Sequence, residues 1–198
     1  GGKLIAFDQD ETTKEHDLKN DDFKLINANF RHIKRFLRME GVKKIDGLLA
    51  DLGVSSHQFD QAERGFSIRF EGELDMRMNT DSILTAKEVI NSYTEQELAD
   101  VLYKYGELTN SRRIAKEIVA SREKSAIITT KDLTDCIAHL VPEKKKNQFL
   151  ARIFQSIRIE VNDEISSLKE MLNSAVDMLD TSGRLVILSY HSLEDRLV

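Results

Sequence analysis

An α/β fold carrying a helical insert is what this sequence predicts, on three observations. Four short apolar runs, at residues 3–7, 23–28, 45–50 and 184–190, have the near-continuous apolarity of strands covered on both faces, as in parallel sheets flanked by helices. Between the second and third runs, Phe30, Ile33, Phe36 and Leu37 repeat with helical spacing, so the chain opens strand, strand, helix, strand. From about residue 83 to 148 the pattern is helical alone.

The first run, KLIAF, ends in the acidic cluster Asp8-Gln9-Asp10, and FKLINA and IDGLLA supply the second and third strands. Residues 52–81 come next with neither helical nor strand period, far longer than an ordinary loop and at the carboxyl end of a buried strand, where α/β proteins keep their sites. Helices are expected at 85–91, 95–105, 111–122 and 131–140, with a Thr94/Glu97 capping box and Thr130 as an N-cap. After Pro142 and Lys144-Lys145-Lys146 a helical pattern resumes over 147–179 and feeds the last strand, RLVILSY, through Ser182-Gly183. The α/β domain is therefore assigned to residues 1–80 and 150–198, and the insert to 81–149.

With 198 residues, 40% of them hydrophobic and 32% charged, the chain can bury a sizeable core and is expected to be globular. No apolar run is long enough to span a bilayer and the first residues lack a secretory pattern, so a soluble, cytoplasmic protein with no membrane partner is expected. Composition does not choose between a monomer and a homodimer. The single cysteine, Cys136, lies in an amphipathic stretch and is given no chemistry. Zinc-type His/Cys spacing and a Gly-Lys-Ser/Thr phosphate loop are both missing, so no metal site is expected. A net charge of −5 means that any nucleic-acid contact must come from a local patch. Arg31, Lys34, Arg35 and Arg38 make one helical face, with Lys43 and Lys44 beyond, and read equally well as a solvated surface.

Three places carry candidate chemistry. An acid at a strand tip such as Asp8 can accept hydrogen bonds from ribose hydroxyls, or can simply form a turn. In DGLLADLGVSS, Asp51 leaves a buried strand ahead of Gly53, Ser55 and Ser56. This reads as a set of cofactor-facing acceptors, or as a turn with Gly53 at positive φ and serines capping the next segment. His191 in YHSLED can cap the next helix or face a substrate, with Glu194 and Asp195 as first-turn acids.

The run DGLLADLGVSSHQFDQAERGFSIRFEGELDMRMN resembles the signature of the MraW/RsmH family of bacterial 16S rRNA (cytosine-N4)-methyltransferases. GKLIAFDQDE, LARIFQSIRIEVNDEI and GRLVILSYHSLEDRLV resemble three further segments of that family, in the right order. The resemblance implies a Rossmann-like class I S-adenosylmethionine-dependent methyltransferase whose partner is 16S rRNA of the small ribosomal subunit, with the insert as an RNA-recognition domain. It further implies that Asp8 takes the ribose hydroxyls of S-adenosylmethionine and that Phe30 lies against the adenine. Asp51 and Gln58 would then hold polar groups of the cofactor, and His57 stands where many members have proline. The family's glycine-rich cofactor loop is expected to precede Gly1 and a further segment to come after Val198.

Methyl transfer from a sulfonium is an in-line displacement, so the protein's main task is positioning. The cytosine amino group is a poor nucleophile because its lone pair is delocalised. Acceptors near its hydrogens favour a more nucleophilic nitrogen and stabilise the developing positive charge. His191, Ser55 and Ser56 are the expected substrate-side residues, acting on a base that has left its stack. A DNA amino-methyltransferase is the rival with the same sheet, but it usually carries an Asn/Asp-Pro-Pro-aromatic run where this chain has DLGV. A non-catalytic RNA-binding module, needing the basic face but no cofactor pocket, is the rival of another class.

Overall fold

The computed structural model describes residues 2–16, 20–141 and 143–198. The chain forms two compact units, one comprising Gly1–Gly53, Met78–Thr80 and Asp163–Val198, the other Val54–Arg77 and Asp81–Asn162. The expected insert, 81–149, lies within the second unit, which also takes in 54–77 and residues up to Asn162. The break expected at Pro142 lies outside the described residues.

In the first unit, β1 (Leu4–Asp8) and β2 (Phe23–Asn27) pair in parallel, with Leu4 opposite Phe23 and Asp8 opposite Asn27. A parallel pair also joins β3 (Ile45–Asp51) to β4 (Leu179–Leu188), Gly47 standing opposite Arg184 and Asp51 opposite Leu188. The four expected strands are therefore present, but among the described residues they form two two-stranded sheets. β4 begins at Leu179, not at residue 184, because Ile45 pairs with Leu179 before the register breaks. Ser182, at φ +68°, turns the chain within that irregularity.

Helices α1 (Ile33–Met39) and α8 (Glu164–Met178) bury Ile33, Leu37, Leu168, Met171, Ala175 and Met178 with Leu52 in one cluster. Each buried Leu, Ile or Met side chain of this set contributes roughly 1.5–3 kcal/mol by leaving water, and Ala175 less. Ile5 and Phe7 of β1, Leu48 and Ala50 of β3 and Leu185 and Ile187 of β4 pack against this cluster. Alternation sends Leu49, Val186 and Leu188 to the other face, where Leu49 is 69% exposed. The β3–β4 sheet is thus covered on one face by the described residues, where the apolar runs predict cover on both.

The helical pattern over 147–179 is interrupted: α7 (Lys146–Asn162) ends before α8 because Asp163 adopts the left-handed conformation at φ +47°. Asn and Asp are the non-glycine residues that tolerate this best. The basic residues of α1 and of the turn before it are partly paired within the unit. Arg31 pairs with Asp163 at 2.6 Å and with Glu170 at 3.5 Å, and Lys34 pairs with Asp177. Arg35 and Arg38 are exposed.

The second unit holds α2 (Ser56–Asp60), α3 (Ala86–Ser92), α4 (Glu95–Gly106), α5 (Ser111–Arg122), α6 (Thr130–Ile137) and α7. Its core is built from the apolar stripes of these helices, including Ile90, Leu98, Leu102, Ile114, Ile118, Leu133, Ile137, Ile153 and Ile157. Among the described residues, 83–148 contribute helices and no sheet strand. Capping boxes start α3 (Thr85, Glu88), α4 (Thr94, Glu97) and α6. For α6 the cap is Thr129 with Asp132, not Thr130, whose buried hydroxyl donates instead to the Phe70 carbonyl at 2.8 Å. Among the described residues no helix is long and apolar enough to cross a membrane.

Candidate functional site

Parallel strands point their carboxyl ends the same way, and the candidate residues of the first unit stand at those ends. Asp8 closes β1, and its Oδ1 accepts the Asp10 N–H at 2.8 Å. Burial raises the Asp8 carboxyl above its ordinary 3.8, against the lowering effect of that backbone hydrogen bond, with the nearby Asp10 charge adding to the rise. Asp10, itself buried, accepts from the Thr12 N–H and hydroxyl, so this cluster does form the turn that an acid after a strand can form.

Beside it, the end of β2 is tied to the end of β1. The Ala28 N–H donates to the Asp8 carbonyl at 2.9 Å, and the Asn29 side chain donates to Gln9 Oε1 at 2.9 Å. Asn29 also caps the helical turn that starts at Phe30, accepting the Arg31 N–H. The Phe30 ring is half-buried against the core cluster, so the structure brings the Asp8 and Phe30 segments together.

The tips of β3 and β4 form a second group. Gly53 stands at φ +89°, a conformation that favours glycine, as the turn reading of DLGVSS requires. Asp51 is met by a residue that sequence reasoning missed: the Tyr190 hydroxyl donates to Asp51 Oδ1 at 2.7 Å. That hydrogen bond, with some burial and the charge of Asp51, raises the Tyr190 pKa above its ordinary 10.0, so the phenol stays a donor. The two residues are 139 apart in sequence, and no local pattern reports such a contact.

His191 is the N-cap of the short helix α9 (Ser192–Asp195), and its side chain is 10% exposed. The Glu194 N–H donates to His191 Nδ1 at 3.4 Å, and the buried Glu194 carboxylate accepts the Tyr190 N–H at 2.8 Å. The structure therefore gives His191 the capping geometry, and Glu194 is the first-turn acid expected of it, completing the capping box. Ser189 donates to Asp195, tying the strand end to the same turn.

Ligand atoms of Glu164, His191 and Glu194 also lie within 4.8 Å of one another. If Nδ1 accepts from the backbone, the neutral ring carries its proton on Nε2, 3.3 Å from Glu194 Oε1, and offers no ring lone pair to a cation. Within the trio, His191 and Glu194 form the α9 capping box.

The remaining candidates belong to the second unit. Ser55 caps α2 in a reciprocal box: its Oγ accepts the Gln58 N–H at 3.2 Å, and Gln58 Oε1 accepts the Ser55 N–H at 3.1 Å. Gln58 is buried, while Ser56, in the first turn of α2, is exposed. The stretch read as lacking helical period thus contains a helix, too short to show a period. Further along, Arg77 forks onto Asp75 with Nε–Oδ1 at 2.7 Å and Nη2–Oδ2 at 2.8 Å, and its Nη1 donates to the Ser82 carbonyl. Arg64 donates to the Arg77 carbonyl at 2.9 Å, so Arg64, Asp75 and Arg77 tie the loop to itself.

Cys136 is half-buried in α6, and burial pushes its thiol up to about 11, far from the thiolate that attack on a base needs.

Among known proteins, the chain is similar to one of Flavobacterium psychrophilum named ribosomal RNA small subunit methyltransferase H, 55% identical over all of this chain and 68% of that protein. Proteins of the same name from Flavobacterium johnsoniae and Bacteroides thetaiotaomicron are 53% and 48% identical, again over the whole chain and over 65% of each relative. The chain spans about two thirds of the length of these curated relatives. The model of one family, described as the MraW methylase family, matches residues 1–198, and the chain belongs to that family.

Proposed function

We propose that the full-length protein transfers a methyl group from S-adenosylmethionine to the exocyclic N4 of a cytidine in 16S rRNA of the small ribosomal subunit, in the cytoplasm. The observation that carries this reading is the match of the entire chain to relatives named ribosomal RNA small subunit methyltransferase H. The donor set at the strand ends fits it: a half-buried carboxylate with a raised pKa gains from hydroxyl donors, which favour its charged form.

Asp8 would hold the ribose hydroxyls, Phe30 would lie against the adenine, and Asp51 and Gln58 would hold polar groups of the cofactor. When bound, S-adenosylmethionine supplies an electrophilic methyl group on its sulfonium. The chain's own part is to position and to accept: His191, Ser55 and Ser56 would hold the extruded base and draw on the hydrogens of its amine. Carbon-5 chemistry would need a thiolate, and the one cysteine of this chain is the high-pKa Cys136 on α6. The helical stretch 81–149 would recognise the RNA.

Incubating the full-length protein with 30S particles and methyl-labelled S-adenosylmethionine tests the reading. Label is expected in the RNA fraction; label confined to protein or DNA, or no transfer, contradicts it.

A further inference from the structure

The end of β4 presents an aromatic ring in an unusual state, exposed yet held. Tyr190 is 68% exposed. Single exposed hydrophobics are common and exposure alone carries nothing. What distinguishes Tyr190 is that it is fixed from both ends. Its backbone N–H donates to the carboxylate of Glu194, a residue only 3% exposed, and its hydroxyl donates across the strand tips to Asp51.

Between these anchors the ring passes beside Gly53, where an added Cβ would lie 3.7 Å from Tyr190 Cδ2. An exposed tyrosine with a free hydroxyl samples several rotamers. This one has its ring plane set by a charge-assisted hydrogen bond at a strand end, beside a turn with no side chain in the way.

We propose that Tyr190 is the platform on which the target base stacks, and that its hydrogen bond to Asp51 fixes the ring in the receiving pose. The inference rests on the reading of the protein as a base-modifying enzyme. A base that leaves its helix loses its stacking partners, and an aromatic side chain held at the receiving site replaces one of them. Because the ring is already ordered, little rotamer entropy is lost when the base arrives. Stacking also explains why so exposed a ring is held so firmly.

The test uses the full-length protein and the substitutions Tyr190→Leu, Tyr190→Phe and Tyr190→Trp. Tyr190→Leu is expected to lower kcat/KM for 30S particles by roughly tenfold to a hundredfold, the range for one lost stacking contact, with cofactor affinity by calorimetry and melting temperature unchanged. Tyr190→Phe keeps the ring but loses the tether and should fall by less than about tenfold, and Tyr190→Trp should recover most of the leucine loss.

A second readout does not depend on methyl transfer: quenching of pyrrolocytidine fluorescence in a short single-stranded RNA on binding. Wild-type quenching that Tyr190→Leu abolishes supports the platform, even if the wild type modifies no rRNA base, a result that would sink the proposed function alone. Quenching absent in the wild type, or equal in Tyr190→Leu, overturns the platform, even in an active enzyme. So does a Tyr190→Phe loss as large as that of leucine, which would assign the effect to the hydroxyl on Asp51.

Discussion

Asp8 and His191 each carry a local duty that the structure makes visible, and each can be tested for a second one. Asp8 accepts a backbone hydrogen bond from its own turn while burial raises its pKa. The fold on its own thus favours the protonated carboxyl, and a ligand donating two hydroxyls would favour the ionised one. Cofactor affinity of the full-length protein is therefore expected to decline as pH falls through the raised Asp8 pKa, starting at a higher pH than the ordinary value of 3.8 would give. Asp8→Ala should weaken binding by roughly 1.5–3 kcal/mol in a calorimetric titration. Unchanged affinity would remove Asp8 from the site. His191 caps α9, so His191→Ala should cost about 0.5–2 kcal/mol of stability. His191→Asn restores a capping side chain. If the ring also holds the base, the asparagine variant regains melting temperature but not kcat; recovery of both would leave His191 as a cap only. Asp8, Gly53, Ser55 and His191 were legible as two-way readings because each duty is local. Tyr190 was not, since its partner Asp51 comes from another strand.

Among the elements, helices were read more closely than their joints. The periods of α4 and α5 and the Thr94/Glu97 box are local facts, and the structure follows them. The α7–α8 break depends on one left-handed residue, Asp163, whose neighbours keep the helical pattern on either side. The cap of α6 slipped by one residue because Thr129 and Thr130 are alike in sequence and differ only in what surrounds them. The loop from Gln61 to Asp81 shows the same limit. A Cβ at Gly72 would lie 1.7 Å from the Ala62 carbonyl oxygen, a backbone approach that no local pattern announces. Gly72→Ala should therefore destabilise the protein by about 1–3 kcal/mol in denaturant unfolding. An unchanged midpoint would mean that the two backbone segments do not meet.

For the whole molecule, strand positions were legible in the apolar runs, but pairing was not. That β1 joins β2 and β3 joins β4 in separate sheets is set by contacts between distant segments, and the one-sided cover of β3–β4 comes from those contacts. The net charge of −5 likewise conceals where cations sit. Arg31 and Lys34 are given to carboxylates of the same unit and Lys44 donates to the Asp177 and Leu179 carbonyls, so an RNA surface there draws chiefly on the exposed Arg35, Arg38 and Lys43. The proposed reaction makes one bond, from the transferred methyl group to the N4 nitrogen of a cytidine. Its most direct test digests 30S rRNA, after reaction with the full-length protein and labelled S-adenosylmethionine, and identifies the labelled nucleoside by mass spectrometry against synthetic standards. N4-methylated cytidine is the expected product; label on carbon 5 of the ring or on a ribose 2′-oxygen would contradict the account.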